Sequence, residues 1–352
     1  MQLRDLSIEN LHIPFKVSFQ HSSSSRTKTE AILVKATTED GNQGLGEGCP
    51  REYVTGETLE TAHQFFNTYY SDFLTISSLD ELKIWVAGNQ SSIDKNPAAF
   101  CAVELALLNA LAKEKNVSVE ALLSLPELCG NFQYTAVLGV SKVKVFQAQL
   151  QQYVEMGFSD FKIKLFGIPE IDHANNEAIR EYDADNIRIR FDANNLWTDA
   201  GEAVDYIKHL DHSIFALEEP LEVYQYADLL KVFNQLKVKI ILDESFTKEA
   251  DFEPIRSHPE SWIINLRISK MGGILRSLAI ANKARFHAIP IIIGAQVGET
   301  SILTRAALTV ANANRDILLA QEGAFGTYLL DKDVIDPSIK FGVNGIVDAD
   351  QL

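Results

Sequence analysis

Five short segments of this chain run from apolar residues into charge: FKIK at 161–164, IRFDANN at 189–195, LEEP at 217–220, ILDES at 241–245 and NLRISKMGG at 265–273. Their charged ends fall roughly 25 to 30 residues apart, about the length of one strand–helix unit. In order they supply Lys162 and Lys164, then the acids Asp192, Glu218 and Asp243 from three successive units, then Lys270. Three carboxylates brought together offer hard oxygen ligands suited to Mg²⁺, which keeps room for water and a substrate carboxylate. Lysines flanking such a centre are candidate bases, one for each face of a planar intermediate. The chemistry this points to is removal of a proton from carbon.

Each group also has a plainer reading. Lys162 and Lys164 are two apart on a strand and share a face. Facing outward they would meet the apolar faces of helices. Facing inward they reach a barrel mouth, while Phe161 and Ile163 pack outward. Two neighbouring ammonium groups disfavour each other's protonation and lower a lysine pKa toward the range of a working base. Alone, the pair reads first as a solvated strand end. Any one acid alone reads first as a helix N-cap, but three in consecutive units are hard to explain by capping. Glu219 and Glu244 are acidic neighbours expected on the opposite strand face. Lys270 precedes Gly272 and Gly273, which permit a tight turn that aims it inward; alone it is an ordinary loop lysine. In GAQVGETS (294–301) small residues let a ligand approach the backbone, and Glu299 could bond Lys270, contact substrate or cap a helix. The eight histidines form no ligand pair, and GxGxxG, GxxxxGK[ST] and GxSxG are absent.

The elements that must position these groups can be read along the chain. Residues 1–55 are β-rich, with GNQGLGEGCP expected as a glycine-rich turn region and the polar stretch HSSSSRTKT (21–29) as a mobile loop. Residues 57–125 turn helical, most clearly in NPAAFCAVELALLNALAKEKN, with Pro97 near its start and Asn96 as its cap. From Tyr134 onward eight strand candidates alternate with seven amphipathic stretches: YTAVLGV, DFKIKLF, IRIRFDA, IFALEEP, VKIILDE, WIINLRI, IPIIIGA and DILLAQE. That alternation predicts a parallel α/β barrel. The tail FGVNGIVDADQL is expected to return as a strand to the first domain.

At 352 residues the chain suggests two domains, and its 46% hydrophobic content allows a large core. No apolar run approaches the length of a membrane span, and the first residues do not resemble a signal peptide. Three widely spaced cysteines, Cys49, Cys101 and Cys129, make neither a disulfide framework nor a zinc pattern, so a reducing cytoplasm is expected. A net charge of −16 argues against nucleic acid as a partner but not against a small anionic substrate.

The series K-x-K at 162–164, D-A-N at 192–194, E-E-P at 218–220, D-E-S at 243–245 and K-M-G-G at 270–273 resembles the enolase superfamily, specifically its muconate-lactonizing subgroup. GEGCPREYVTGET (46–58) and FCAVELALLNALAKEKN (100–116) resemble segments of the same family, so the likeness covers essentially the whole chain. The resemblance implies a modified TIM barrel, (β/α)₇β, at 126–334, under an α+β capping domain at 1–125 completed by 335–352. It implies Mg²⁺ on Asp192, Glu218 and Asp243, with Lys164 and Lys270 as opposed acid/base groups. Lys162 would stabilise the enolate and tune Lys164. A metal held against the substrate carboxylate makes a weak carbon acid accessible, a use of lysine bases and Mg²⁺ that is a known pattern of this superfamily.

Two departures stand out. Arg267 replaces a lysine the family usually carries and is expected to point away from Lys270's face with little effect. The last strand has Gly323-Ala324-Phe325 where dipeptide epimerases carry Asp-x-Asp for the substrate ammonium. The expected activity is a racemase or epimerase acting on a dipeptide or N-acyl amino acid. The alternatives are a muconate-type cycloisomerase or an o-succinylbenzoate synthase-like dehydratase, and, from another class, a non-catalytic binding protein. The expected substrate-binding set is Arg26, Tyr53, Asn194, Gln296, Glu299 and Phe325. HSSSSRTKT would act as a lid, with Arg26 and Lys28 as its cations. The expected partners are a small carboxylate substrate and further copies of the chain, with no membrane.

Overall fold

A computed structural model describes residues 1–20, 25–140, 142–182 and 187–352. The first strands are β1 (Leu3–Leu11), β2 (Pro14–Gln20), β3 (Ser25–Lys28), β4 (Ala31–Thr38) and β5 (Gln43–Gly48). β1, β4 and β5 form an antiparallel sheet, and β2 and β3 pair as a separate hairpin. The hairpin corrects part of the loop expectation for 21–29: residues 25–28 are strand, and 21–24 lie outside the described residues.

The glycine-rich segment is also strand rather than turn. Period-two glycines clear one face of β5, and the helix Pro97–Glu114 lies directly on that face. A Cβ at Gly44, Gly46 or Gly48 would stand 2.0 Å from the carbonyl oxygen of Ala106, Ala102 or Ala98. An alanine stripe of period four thus packs on a glycine stripe of period two. That helix starts at Pro97 as expected, but Asn96 makes no side-chain cap bond. Glu57 does the capping, accepting from Ala98 N and Ala99 N at 2.8 Å each.

After β6 (Asn131–Gln133), eight parallel strands follow: β7 (Ala136–Leu138), β8 (Asp160–Lys164), β9 (Arg188–Asp192), β10 (Ala216–Glu218), β11 (Lys239–Leu242), β12 (Trp262–Arg267), β13 (Ile291–Gly294) and β14 (Leu318–Gln321). They lie in sequence order in one curled sheet, whose ends are joined by Thr135 N donating to Gln321 O at 2.7 Å. All eight fall within the segments read from sequence. Six crossovers carry a helix of 11 to 13 residues. The seventh, between β11 and β12, holds only the 3₁₀ turns Glu249–Phe252 and Pro259–Ser261. Pro254 and Pro259 fall in that stretch and cannot donate to a longer helix.

The return strand is β15 (Ile346–Asp348), and it pairs antiparallel with β6, not with the β1–β4–β5 sheet. β6 offers a free edge just before the barrel begins, so the tail closes the barrel's base. Among the described residues no helix is long and apolar enough to cross a membrane.

Inside the barrel the wall divides. Ala216, Ile241, Ile263, Ile292 and Ala320 from β10–β14 form a small apolar cluster of their own. On the β8–β9 side the interior is charged. Asp160 Oδ1 accepts from Arg190 Nη1 at 2.7 Å, and Arg190 Nη2 donates to Glu322 Oε1 at 2.7 Å. Glu322 in turn lies 3.3 Å from Lys162 Nζ. These charges alternate in sign, which is how buried ions are kept satisfied.

Candidate active site

Strand register assembles the first half of the site. β8 and β9 pair Lys164 with Asp192, and β9 and β10 pair Asp192 with Glu218. Asp243 follows immediately after β11. Asp192, Glu218 and Asp243 are each 1% exposed. Lys162 lies between two of them, 3.1 Å from Asp192 Oδ2 and 2.9 Å from Glu218 Oε2. Phe161 and Ile163 pack outward into the core, as the inward reading of the lysines requires. Lys164 Nζ is 3.7 Å from Asp192 Oδ2 and donates to Asn194 Oδ1 at 3.2 Å.

The second half stands on β12 and the helical turn after it. Lys270 lies in the turn Ile268–Met271, which ends at Gly272 in the left-handed region (φ 83°). Its ammonium donates to Asp243 O at 2.7 Å, Asp243 Oδ1 at 2.8 Å and Asn265 O at 2.8 Å. β8 and β12 are the second and sixth of eight strands, opposite one another in a closed ring. The two candidate bases therefore come from opposite sides of the mouth.

Burial and charge separate the three lysines. Burial works against Lys162's charge, but Asp192, Glu218 and Glu322 outweigh it and hold its pKa above the usual lysine range. Lys164 is lowered, first by burial and further by Lys162 and Arg267, against the pull of Asp192. Lys270 falls to about 7, first through burial and then through the charge of Arg267. Mutual repulsion of the lysine pair is thus real but secondary to burial. Lys162 is a fixed cation, while the other two lean toward the neutral amine a base needs.

Arg267 overturns its expectation. It does not point away: its Nη2 is ion-paired with Asp243 Oδ2, and its Nη1 donates to Gln296 Oε1 at 3.0 Å. The reason is strand alternation, since Asn265 and Arg267 are two apart at the end of β12 and share the inward face. Asn265 Nδ2 accordingly reaches Glu218 Oε1 at 3.0 Å. The same alternation turns Arg190 inward two residues before Asp192. The period that found Lys162 and Lys164 could have found all three.

The acidic neighbours also resolve. Glu219 accepts from Asp243 N (2.7 Å), Ser245 N (2.7 Å) and Ser245 Oγ (2.8 Å), so it fixes the segment that carries Asp243. Glu244 is buried with Oε2 lacking a hydrogen-bond partner. Its pKa rises to about 8 through burial and the nearby charges of Glu219, Asp192 and Glu218.

A divalent cation fits this donor set chemically: three buried carboxylates from consecutive strands, with an orphaned fourth beside them. As they stand, among the described residues, no three such groups already converge on one point. Asp243 is held instead by Lys270 and Arg267, one on each carboxylate oxygen.

The expected substrate-binding residues divide. Asn194 and Gln296 stand at the site through Lys164 and Arg267. Glu299 folds back to accept from Gln296 N at 2.6 Å, so it neither bonds Lys270 nor caps the next helix. Thr300 and the capping domain's Glu47 do that capping. Phe325 packs edge-on against Phe341, with ring centroids 5.4 Å apart. Arg26 pairs with Glu30. Tyr53 is half exposed. The β2–β3 hairpin rests on the barrel loops: Lys16 N donates to Leu329 O and Asp331 N to Pro14 O. A Cβ at Gly298 would meet the Phe15 ring at 2.8 Å.

Two family models match the chain. One is described as "Mandelate racemase / muconate lactonizing enzyme, N-terminal domain", over residues 5–124, and the other as "Enolase C-terminal domain-like", over 145–349. A hydrophobic dipeptide epimerase of Enterococcus faecalis is 27% identical, over 93% of this chain and 92% of the relative. An N-succinyl-L-Arg/Lys racemase of Bacillus cereus is 24% identical, over 90% of this chain and 86% of the relative. A crystal structure of the Enterococcus faecalis dipeptide epimerase, complexed with Mg and the dipeptide L-Leu-L-Tyr, superimposes with a TM-score of 0.85. It is 25% identical and covers 99% of this chain and 97% of that one.

Proposed function

This chain belongs to the mandelate racemase / muconate lactonizing enzyme family of the enolase superfamily, and from that premise we propose a Mg²⁺-dependent racemase or epimerase. It is an isomerase, as its curated relatives are. The substrate is a carboxylate whose α-carbon carries an acylated or peptide nitrogen. The observation that carries the reading is the pair Lys164 and Lys270, one at the end of the second barrel strand and the other in the turn after the sixth, with both ammonium groups weakened. Inversion at carbon requires a base on each face.

Asp192, Glu218 and Asp243 would hold the metal. Bound there, Mg²⁺ supplies a positive charge that anchors the substrate carboxylate and offsets the charge appearing on it as the α-proton leaves. The chain's own groups do the rest. One lysine takes the proton from its face and the other delivers one from the opposite face. Lys162, permanently charged between Asp192 and Glu218, adds electrostatic stabilisation on the Lys164 side.

The last strand narrows the substrate. Gly323, Ala324 and Phe325 carry no acid, and Glu322 is already held by Arg190 and Lys162, which bring its pKa to about 2 despite burial. A free ammonium in that position would lack its counter-charge. The test is α-deuterium exchange in D₂O by mass spectrometry over dipeptides and N-acyl amino acids, with and without chelator. A mass gain of one without net conversion, lost on chelation and restored by Mg²⁺, is expected. N-acylated substrates should exceed matched free-amino dipeptides in kcat/KM by about tenfold, roughly 1.4 kcal/mol. A strong preference for the free amine would mean that Glu322 leaves its two cations to bind the ammonium.

A further inference from the structure

Lys270's turn is braced from outside the barrel. On one side of the lysine, Ser269 Oγ accepts from Cys49 N of the capping domain at 2.8 Å. On the other, Glu104, fully buried on the capping-domain helix Pro97–Glu114, reaches across the interface. Its Oε2 accepts from Ile274 N and its Oε1 from Leu275 N at 3.2 Å. These are orphan donors of the first turn of the helix Ile274–Phe286. Gly273 lies between, at φ 102°, and a Cβ there would stand 2.1 Å from Glu104 Oε2. The second glycine of K-M-G-G therefore does more than permit a turn. It clears the space through which the carboxylate reaches the backbone.

Among the described residues Lys164 has no such brace. It ends β8, whose ladders to β7 and β9 lie wholly within the barrel. We propose that Glu104 is a positioning residue for Lys270, so that the capping domain sets the placement of one base and leaves the other to the barrel. Gly272 supports the same dependence, since a Cβ there would meet Ile93 of the capping domain at 2.8 Å. The inference rests on the two-base reading above.

The test uses exchange rather than net racemisation, because the overall equilibrium ties the two directions of racemisation together and does not tie the exchange rates. Lys164→Ala and Lys270→Ala first assign each substrate enantiomer to its base. In Glu104→Gln, early α-deuterium incorporation should then fall on the order of 10- to 100-fold for the Lys270 enantiomer, the scale expected for a base displaced by about 1 Å. It should stay within about twofold of wild type for the Lys164 enantiomer. Glu104→Asp, which keeps the acid but withdraws it by one methylene, should show the same asymmetry at smaller size and serves if the glutamine variant does not fold. Equal loss for both enantiomers in either variant overturns the assignment and leaves Glu104 a general interface residue. Absence of exchange in wild type, by contrast, overturns the two-base reading itself.

Discussion

Lys164 stands on a strand with a hydrogen-bonded ladder on each side, whereas Lys270 stands on a single helical turn beyond the end of one. Around Lys164 the nearest charges are the lysine–carboxylate alternation of Lys162, Asp192 and Glu218. Around Lys270, Asp243 is shared with a second cation, Arg267. A strand fixes a side chain's direction through alternation alone. A turn fixes it only if something holds the turn, and here that is the capping domain. The two candidate bases can thus depend on different parts of the molecule.

The largest effect should come from removing either base. Lys164→Ala and Lys270→Ala should each lower racemisation by roughly 10²- to 10⁴-fold, the usual worth of a positioned general base. Each should keep α-deuterium exchange for the one enantiomer its remaining lysine serves. If Lys270→Ala racemised both enantiomers at the normal rate, the two sides would not be partners. A one-base cycloisomerase or dehydratase would then describe the site better.

A smaller effect should come from the cations that hold the carboxylates on both sides. Arg267 competes for Asp243, so Arg267→Met should tighten Mg²⁺ binding, measured by calorimetry without substrate, by up to about tenfold (~1.4 kcal/mol). Lys162→Met should act similarly, since Lys162 occupies Asp192 and Glu218 in the same way. An unchanged or weakened affinity in Arg267→Met would mean that the guanidinium orients Asp243 for the metal instead of competing for it.

Much of this was legible in sequence because strand ends carry both the period and the chemistry. The eight strands, the shared inward face of Lys162 and Lys164, and the places of Asp192, Glu218 and Asp243 at successive strand ends followed from alternation and a 25- to 30-residue spacing. The inward face of Arg267 is legible only when the alternation that turns Asn265 inward is extended to it. Glu57, Glu104 and Glu47 escaped for a different reason: each caps a helix from a distant part of the chain. Glu104 lies 170 residues from Ile274 and Glu47 lies 253 from Thr300. A buried glutamate on an apolar helix face carries no local period. The glycines of β5 read as a turn because glycine marks both turns and close approach, and only the facing alanine stripe tells which.

The smallest effect concerns the capping domain's own footing. Glu57 caps the helix that carries Glu104, and burial raises its pKa from 4.5 to about 8, although the N–H groups of Ala99 and Ala98 pull the other way. A carboxyl group raised on folding binds more protons folded than unfolded. Its contribution to stability is therefore complete below about 4.5 and is lost as pH rises through about 8. Wild-type thermal midpoints should accordingly fall between pH 6 and pH 9. Glu57→Gln keeps one acceptor for the helix N-terminus and should cost about 0.5–2 kcal/mol at pH 6, the range for a lost cap. It should also flatten the pH slope, because the amide does not titrate. If the two proteins lost stability in parallel across that range, Glu57 would not be the group whose ionisation loosens the capping domain. The dependence of Lys270 on that domain would then have to be probed at Glu104 alone.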